Sequence, residues 1–159
     1  NIVNKIFWPL FIFSILDEKY AAMGLLTAGI LLIGMVLRLF IGNLLDRWHK
    51  HKLLRIGAAL NASAWFLKTI VISGFHIFLV STYHALALII LKTSLQTLVY
   101  EKAADRGHYV DEYTVIKEMA GSFGRVLGLI LLAVLLLFLP MQSSFVVAGV
   151  AALFVNLLR

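Results

Sequence analysis

The chain has 159 residues, of which 62% are hydrophobic and only 14% charged, with a mean hydropathy of +0.96. A soluble domain is about 45–50% apolar and about 25% charged, so this composition excludes an ordinary soluble domain, a disordered chain and a coiled coil and leaves an integral membrane protein. The net charge of +6 would point to nucleic acid in a soluble protein; in a membrane protein the distribution of charge between loops carries the information, and no nucleic-acid partner is expected.

Six apolar segments follow in chain order, at about 2–16, 20–45, 53–73, 76–100, 113–139 and 142–158. One helical span takes about 20 residues, so six of them account for most of the chain. All are expected to be helices, because lipid cannot satisfy open backbone groups, and none alternates as the strands of a membrane barrel do. The expected fold is all-α, a polytopic bundle of six transmembrane helices forming one domain over residues 1–159. The first segment is short for a span and has no small-residue cleavage site behind it, so it does not read as a signal peptide. With Asn1 at the start and Arg159 directly after an apolar run, both ends read as cuts through a longer polypeptide.

The loops are asymmetric. Those near Asp17–Lys19, Ser73–His76 and Pro140–Ser143 hold Lys19 alone among Lys and Arg. The others, with the termini, hold Lys5, Arg47, Lys50, Lys52, Arg55, Lys102, Arg106 and Arg159. The positive-inside rule makes the second set cytoplasmic. Both ends of the chain are then expected on the cytoplasmic side of the cell membrane, as an even number of spans requires. Pro140 marks a tight external turn between the last two helices.

The most specific stretch is Gly42-Asn43-Leu44-Leu45-Asp46-Arg47-Trp48-His49-Lys50-His51, in the first cytoplasmic loop. Read from chemistry alone, Gly42 lets a helix end approach a neighbour closely, Asp46 can meet a cation or a helix N-terminus, and the basic residues face an anionic leaflet. An ordinary positive-inside loop with one incidental acid has the same charges. The spacing resembles the Gly-x-Leu-Ala-Asp-Arg-x-Gly-Arg-Lys signature of the major facilitator superfamily, with Gly42, Leu44, Asp46, Arg47 and Lys50 matching and Leu45, His49 and His51 departing from it. The resemblance implies one six-helix half of such a transporter, built as three helices and three more with inverted topology. It implies that Gly42, Asp46, Arg47 and Lys50 form a cytoplasmic gate that opens and closes during alternating access. It implies a second six-helix half as partner, in the same chain or in a homodimer, and a small solute as substrate. The run Lys5-Ile6-Phe7-Trp8-Pro9-Leu10-Phe11 resembles entry into the C-terminal half.

Five cations fall within the segments: Arg38, Lys68, Lys92, Lys117 and Arg125. Each costs roughly 2.5–3.5 kcal/mol at mid-membrane on insertion scales, so each needs an explanation. Arg38, Lys68 and Lys117 stand near segment ends, where a charge can snorkel to the interface. Lys92 is deeper, and Arg125 is near the middle of the fifth segment. Arg125 reads either as a structural arginine bonded to carbonyls or Glu118, or as a cavity residue that meets substrate. Glu118, Ser122 and Arg125 share a face by i, i+4, i+7 spacing. Gly121, Gly124 and Gly128 form a neighbouring stripe suited to close helix packing. In the resembling family, the first and fourth helices of a half line the cavity, which nominates Tyr83, His84, Lys92 and Gln96. The third helix is peripheral there, so Asn61, Trp65 and Lys68 read as packing residues. Arg125, Glu118, His84, Lys92 and Gln96 are the substrate or coupling candidates, and the surplus of cations suggests an anionic or zwitterionic substrate.

There is no cysteine, so no disulfide or thiolate site is expected. The scattered histidines make no metal set, and no cofactor is expected. Gly121-Ser122-Phe123-Gly124 has the look of a serine elbow but stands within a helix with no base at a suitable spacing, and an enzyme is not expected. The function read from the sequence is secondary active transport by alternating access; the alternative is a six-helix membrane scaffold or interaction protein without transport.

Overall fold

The computed structural model describes residues 2–45, 49–104, 110–138, 140 and 142–153. Every regular element among them is an α-helix. The first segment is broken into α1 (Ile2–Lys5) and α2 (Phe7–Ile15). Pro9 supplies the reason: it has no N–H for the Lys5 carbonyl, and its ring crowds that oxygen. The segment ends at a turn in which Glu18 N–H reaches back to the Phe13 carbonyl at 3.1 Å, with Asp17 and Glu18 both at positive φ, 51° and 59°. The remaining helices are α3 (Tyr20–Leu45), α4 (Lys50–Thr69), α5 (Gly74–Ala104), α6 (Val110–Phe138) and α7 (Ser143–Leu153). Ser73 caps α5: its hydroxyl accepts the His76 N–H and its carbonyl accepts the Ile77 N–H at 2.9 Å. The turn expected at Pro140 closes through the Ser143 N–H on the Pro140 carbonyl at 3.0 Å.

Three stretches are long and apolar enough to cross a membrane: Tyr20–Ile41, Gly74–Glu101 and Thr114–Phe138. They mark an integral membrane protein. The other three expected spans differ from these. The helices of the first and last segments are short, and α4 carries Lys50, Lys52, Arg55 and Lys68 along its length.

Packing follows polarity. α4 is the most polar of the four long helices, and it is the central one: it packs against both α5 and α7 and buries Ala58, Asn61, Ala62, Ala64, Trp65 and Lys68. The resemblance puts this helix at the periphery; here its polar face is buried, because hydrocarbon would solvate its amide, hydroxyl and ammonium groups worst, while Ile56, Phe66 and Leu67 of the opposite face are exposed. The apolar helices α3 and α6 face outward instead, exposing Leu25, Phe40, Phe123 and Phe138 among others. In water such faces would associate; in a bilayer they match their solvent.

Two glycines make the enclosure possible. A Cβ on Gly57 would lie 2.7 Å from the Leu91 backbone nitrogen, so α4 and α5 touch backbone to backbone there. A Cβ on Gly149 would lie 3.2 Å from the Phe66 ring, where α7 meets α4. An aromatic cluster closes one side of the bundle, with Phe145 edge-on to Trp8 and Phe11 at 5.6 and 5.2 Å between centroids.

Candidate functional site

Polar side chains gather on two sides of α4 and α5. On the enclosed side, Lys68 is fully buried, with its Nζ 4.3 Å from the ring centroids of both Trp8 and Trp65 and donating to Asn4 Oδ1 at 2.6 Å. An ammonium between aromatic faces is a recognised stabilising geometry. Lys68 therefore does not snorkel to the outer interface. Depth along α4 gives its distance from the loop but not the α1–α2 and α5 segments that cover it. Trp8 Nε1 donates to Ser81 Oγ at 3.1 Å, and His84 Nε2 donates to Asn61 Oδ1 at 2.9 Å, with the imidazole edge-on to Trp65. The Trp65 indole N–H has no acceptor among the described residues.

On the other side, a groove of about 490 Å³ runs between α5, α6 and α7. Lys92 and Arg125 line it, Asn61 of α4 closes its floor, and Gly121, Gly124 and Gly128 form part of its α6 wall. A second groove of about 380 Å³, between α3 and α5, is lined by Arg38, Lys92 and Gln96, so Lys92 stands between the two. Counted along the helices at 1.5 Å per residue, Lys92 is about 14 Å from Glu101 and Arg125 about 16 Å from Thr114. Arg125 is thus close to the middle of its stretch, whereas Lys92, about 27 Å from Gly74, is nearer the Glu101 end; both line the same groove.

The candidates thus divide. His84 is buried against α4, and Tyr83 meets Ser63 Oγ at 2.8 Å, while Lys92 and Gln96 face grooves; the four do not line one cavity. Arg125 donates to Ser122 Oγ at 2.7 Å and stands 3.9 Å from Glu118, as their shared face implies, with side chains 55% and 65% exposed. The glycine stripe lines the groove between α5, α6 and α7 without close packing: among the described residues, a Cβ on Gly124 or Gly128 would have no neighbour within 4 Å. Of the proposed gate, Asp46 and Arg47 lie outside the described residues, and Gly42 is described only as part of α3. Lys50, at the start of α4, pairs with Glu101 near the end of α5. Lys117 approaches the Tyr100 ring at 6.0 Å at that same end.

Sequence reasoning passed over Asn61 and Lys68 as packing residues and did not single out Gly57. The signal for all three is the small-residue run Gly57-Ala58-Ala59 and Ala62-Ser63-Ala64 around an asparagine. Such a stretch suits close backbone contact in a membrane interior. Among the described residues no group of three or more His, Asp or Glu could hold a metal ion. No family model, curated protein or solved structure matches the chain.

Proposed function

We propose that the chain is a six-helix half of a secondary transporter of the major facilitator type, moving a small solute across the cell membrane by alternating access. The observation that carries the reading is the polar set Asn61, Lys92 and Arg125, which α4, α5 and α6 bring to one groove that α1 and α7 complete. Carrier sites lie near the midplane, between helix bundles. A three-plus-three arrangement would pair α3 with α5 and its counterpart α6 with the first segment; α3 does pack on α5, and α6 does meet α1. The outward faces of α3 and α6, with Leu25, Phe40, Phe123 and Phe138 exposed, suit a second six-helix bundle, in the same polypeptide or in another copy.

In this reading all six segments cross, both ends are cytoplasmic, and the loop at Asp46 latches the two bundles. The chain is a carrier rather than an enzyme and needs no cofactor. The test is uptake into proteoliposomes across sugars, amino acids, nucleosides, carboxylates and phosphate esters. Asp46→Asn is expected to cut uptake of the accepted solute about tenfold or more with unchanged thermal stability. Unchanged uptake in Asp46→Asn removes the latch role. Absence of uptake for every class favours a six-helix scaffold, for which the unpartnered α3 and α6 faces would be the binding surface.

A further inference from the structure

The groove between α5, α6 and α7 joins two kinds of surface. Leu88, Leu91 and Leu95 of α5 face Leu131 and Leu132 of α6 and Val147 of α7, so its walls are hydrocarbon. Lys92 and Arg125 interrupt them. Arg125 is oriented by Ser122 and only partly compensated by Glu118 at 3.9 Å. Among the described residues no carboxylate pairs with Lys92, and Arg38 adds a further cation across Lys92 in the neighbouring groove. The floor adds a donor: the Asn61 carbonyl oxygen is engaged by His84, which leaves its amide nitrogen for hydrogen bonding elsewhere. An unpaired ammonium near the bilayer centre is costly, and an anion beside it removes that cost. Guanidinium and ammonium together match a carboxylate or phosphate, the first by its fork and the second as a point charge.

We infer that this groove binds an amphiphilic anion, its carboxylate or phosphate group between Lys92 and Arg125 and its apolar body along the leucine walls. The inference rests on the transport reading and names the substrate class. A small hydrophilic anion would leave those walls without a partner, and a neutral apolar solute would leave the two cations without one. The volume of about 490 Å³ is within the range of small-ligand pockets.

Calorimetric titration of the full native chain in phosphatidylcholine nanodiscs, against empty discs, tests it with three probes: hexyl phosphate, hexanol and inorganic phosphate. Hexyl phosphate is expected to bind about tenfold or more tightly than either of the others. Lys92→Gln and Arg125→Gln should each weaken it by a similar factor, Arg125→Lys should restore part of the loss, and Lys117→Gln should leave affinity unchanged. Equal binding of hexanol, equal binding of inorganic phosphate, or no binding of hexyl phosphate overturns the inference. Binding as expected with no uptake into proteoliposomes removes the carrier reading and leaves the site. Uptake of an uncharged solute with no hexyl phosphate binding does the reverse.

Discussion

Between Trp8 and Trp65, the amino group of Lys68 has two aromatic faces and one amide oxygen as its surroundings. Truncating it leaves a cavity in the enclosed core and an unpaired Asn4, so Lys68→Ala is expected to lose about 2–5 kcal/mol, seen as a lower melting temperature in detergent. Replacing both polar partners by apolar groups of similar shape is close to neutral in comparable cases. The double variant Lys68→Met with Asn4→Leu is therefore expected to melt within about 1 kcal/mol of the parent chain. If that variant also melts low, the lysine contributes more than a filled volume and a satisfied amide. If it melts normally but loses uptake, Lys68 belongs to the transport machinery. The Asn61–His84 pair has the same logic, with one further consequence: Asn61 faces the groove as well as the core.

At the scale of elements, the glycines separate into those already used and those still open. Gly57 is where the α4 and α5 backbones touch, and Gly57→Ala must push Leu91 away. Overpacking of this kind costs about 1–3 kcal/mol. Gly124→Ala adds a methyl to open space, and the higher helix propensity of alanine makes it neutral or slightly stabilising. Melting curves of the two variants check the contrast: equal destabilisation would mean that α6 is packed as tightly as α4. If a second bundle docks on the outward face of α6, where Phe123 is exposed, Phe123→Ala should weaken that assembly while leaving the melting of this bundle unchanged. The Lys50–Glu101 pair joins the ends of α4 and α5, but both side chains are partly exposed, so it contributes at most about 1 kcal/mol.

For the whole molecule, what could be read from the sequence depended on which physical signal each part leaves. α3, α5 and α6 were legible to within a few residues, because each is a long uninterrupted apolar run with polar ends. The break at Ile6 was written in Pro9, yet hydropathy alone does not register it. The pairing of Glu118, Ser122 and Arg125 on one face was legible from helical spacing. That Lys92 and Arg125 line one groove was not, since it depends on how α5 and α6 lie beside each other. The burial of Lys68 was hidden for a related reason: distance from a loop measures depth in the membrane, whereas enclosure is set by neighbouring helices. The glycine stripe on α6 was legible from its spacing, but its place in a groove wall depends on how α5 and α7 lie beside α6.

The proposed arrangement takes α4 across the membrane with its polar face buried against α5 and α7, so that six segments span although only three of the described stretches are long and apolar enough to be recognised alone. The chain has no cysteine, so each introduced cysteine is a unique probe. The most direct test is labelling by a membrane-impermeant maleimide in intact cells, with Lys19→Cys, Ser73→Cys and Gln142→Cys set against His49→Cys and Glu101→Cys. The first three are expected to react from outside and the last two only after the membrane is opened. If Ser73→Cys is protected together with His49→Cys, α4 does not cross, and the six-span arrangement and the transport reading built on it are contradicted together.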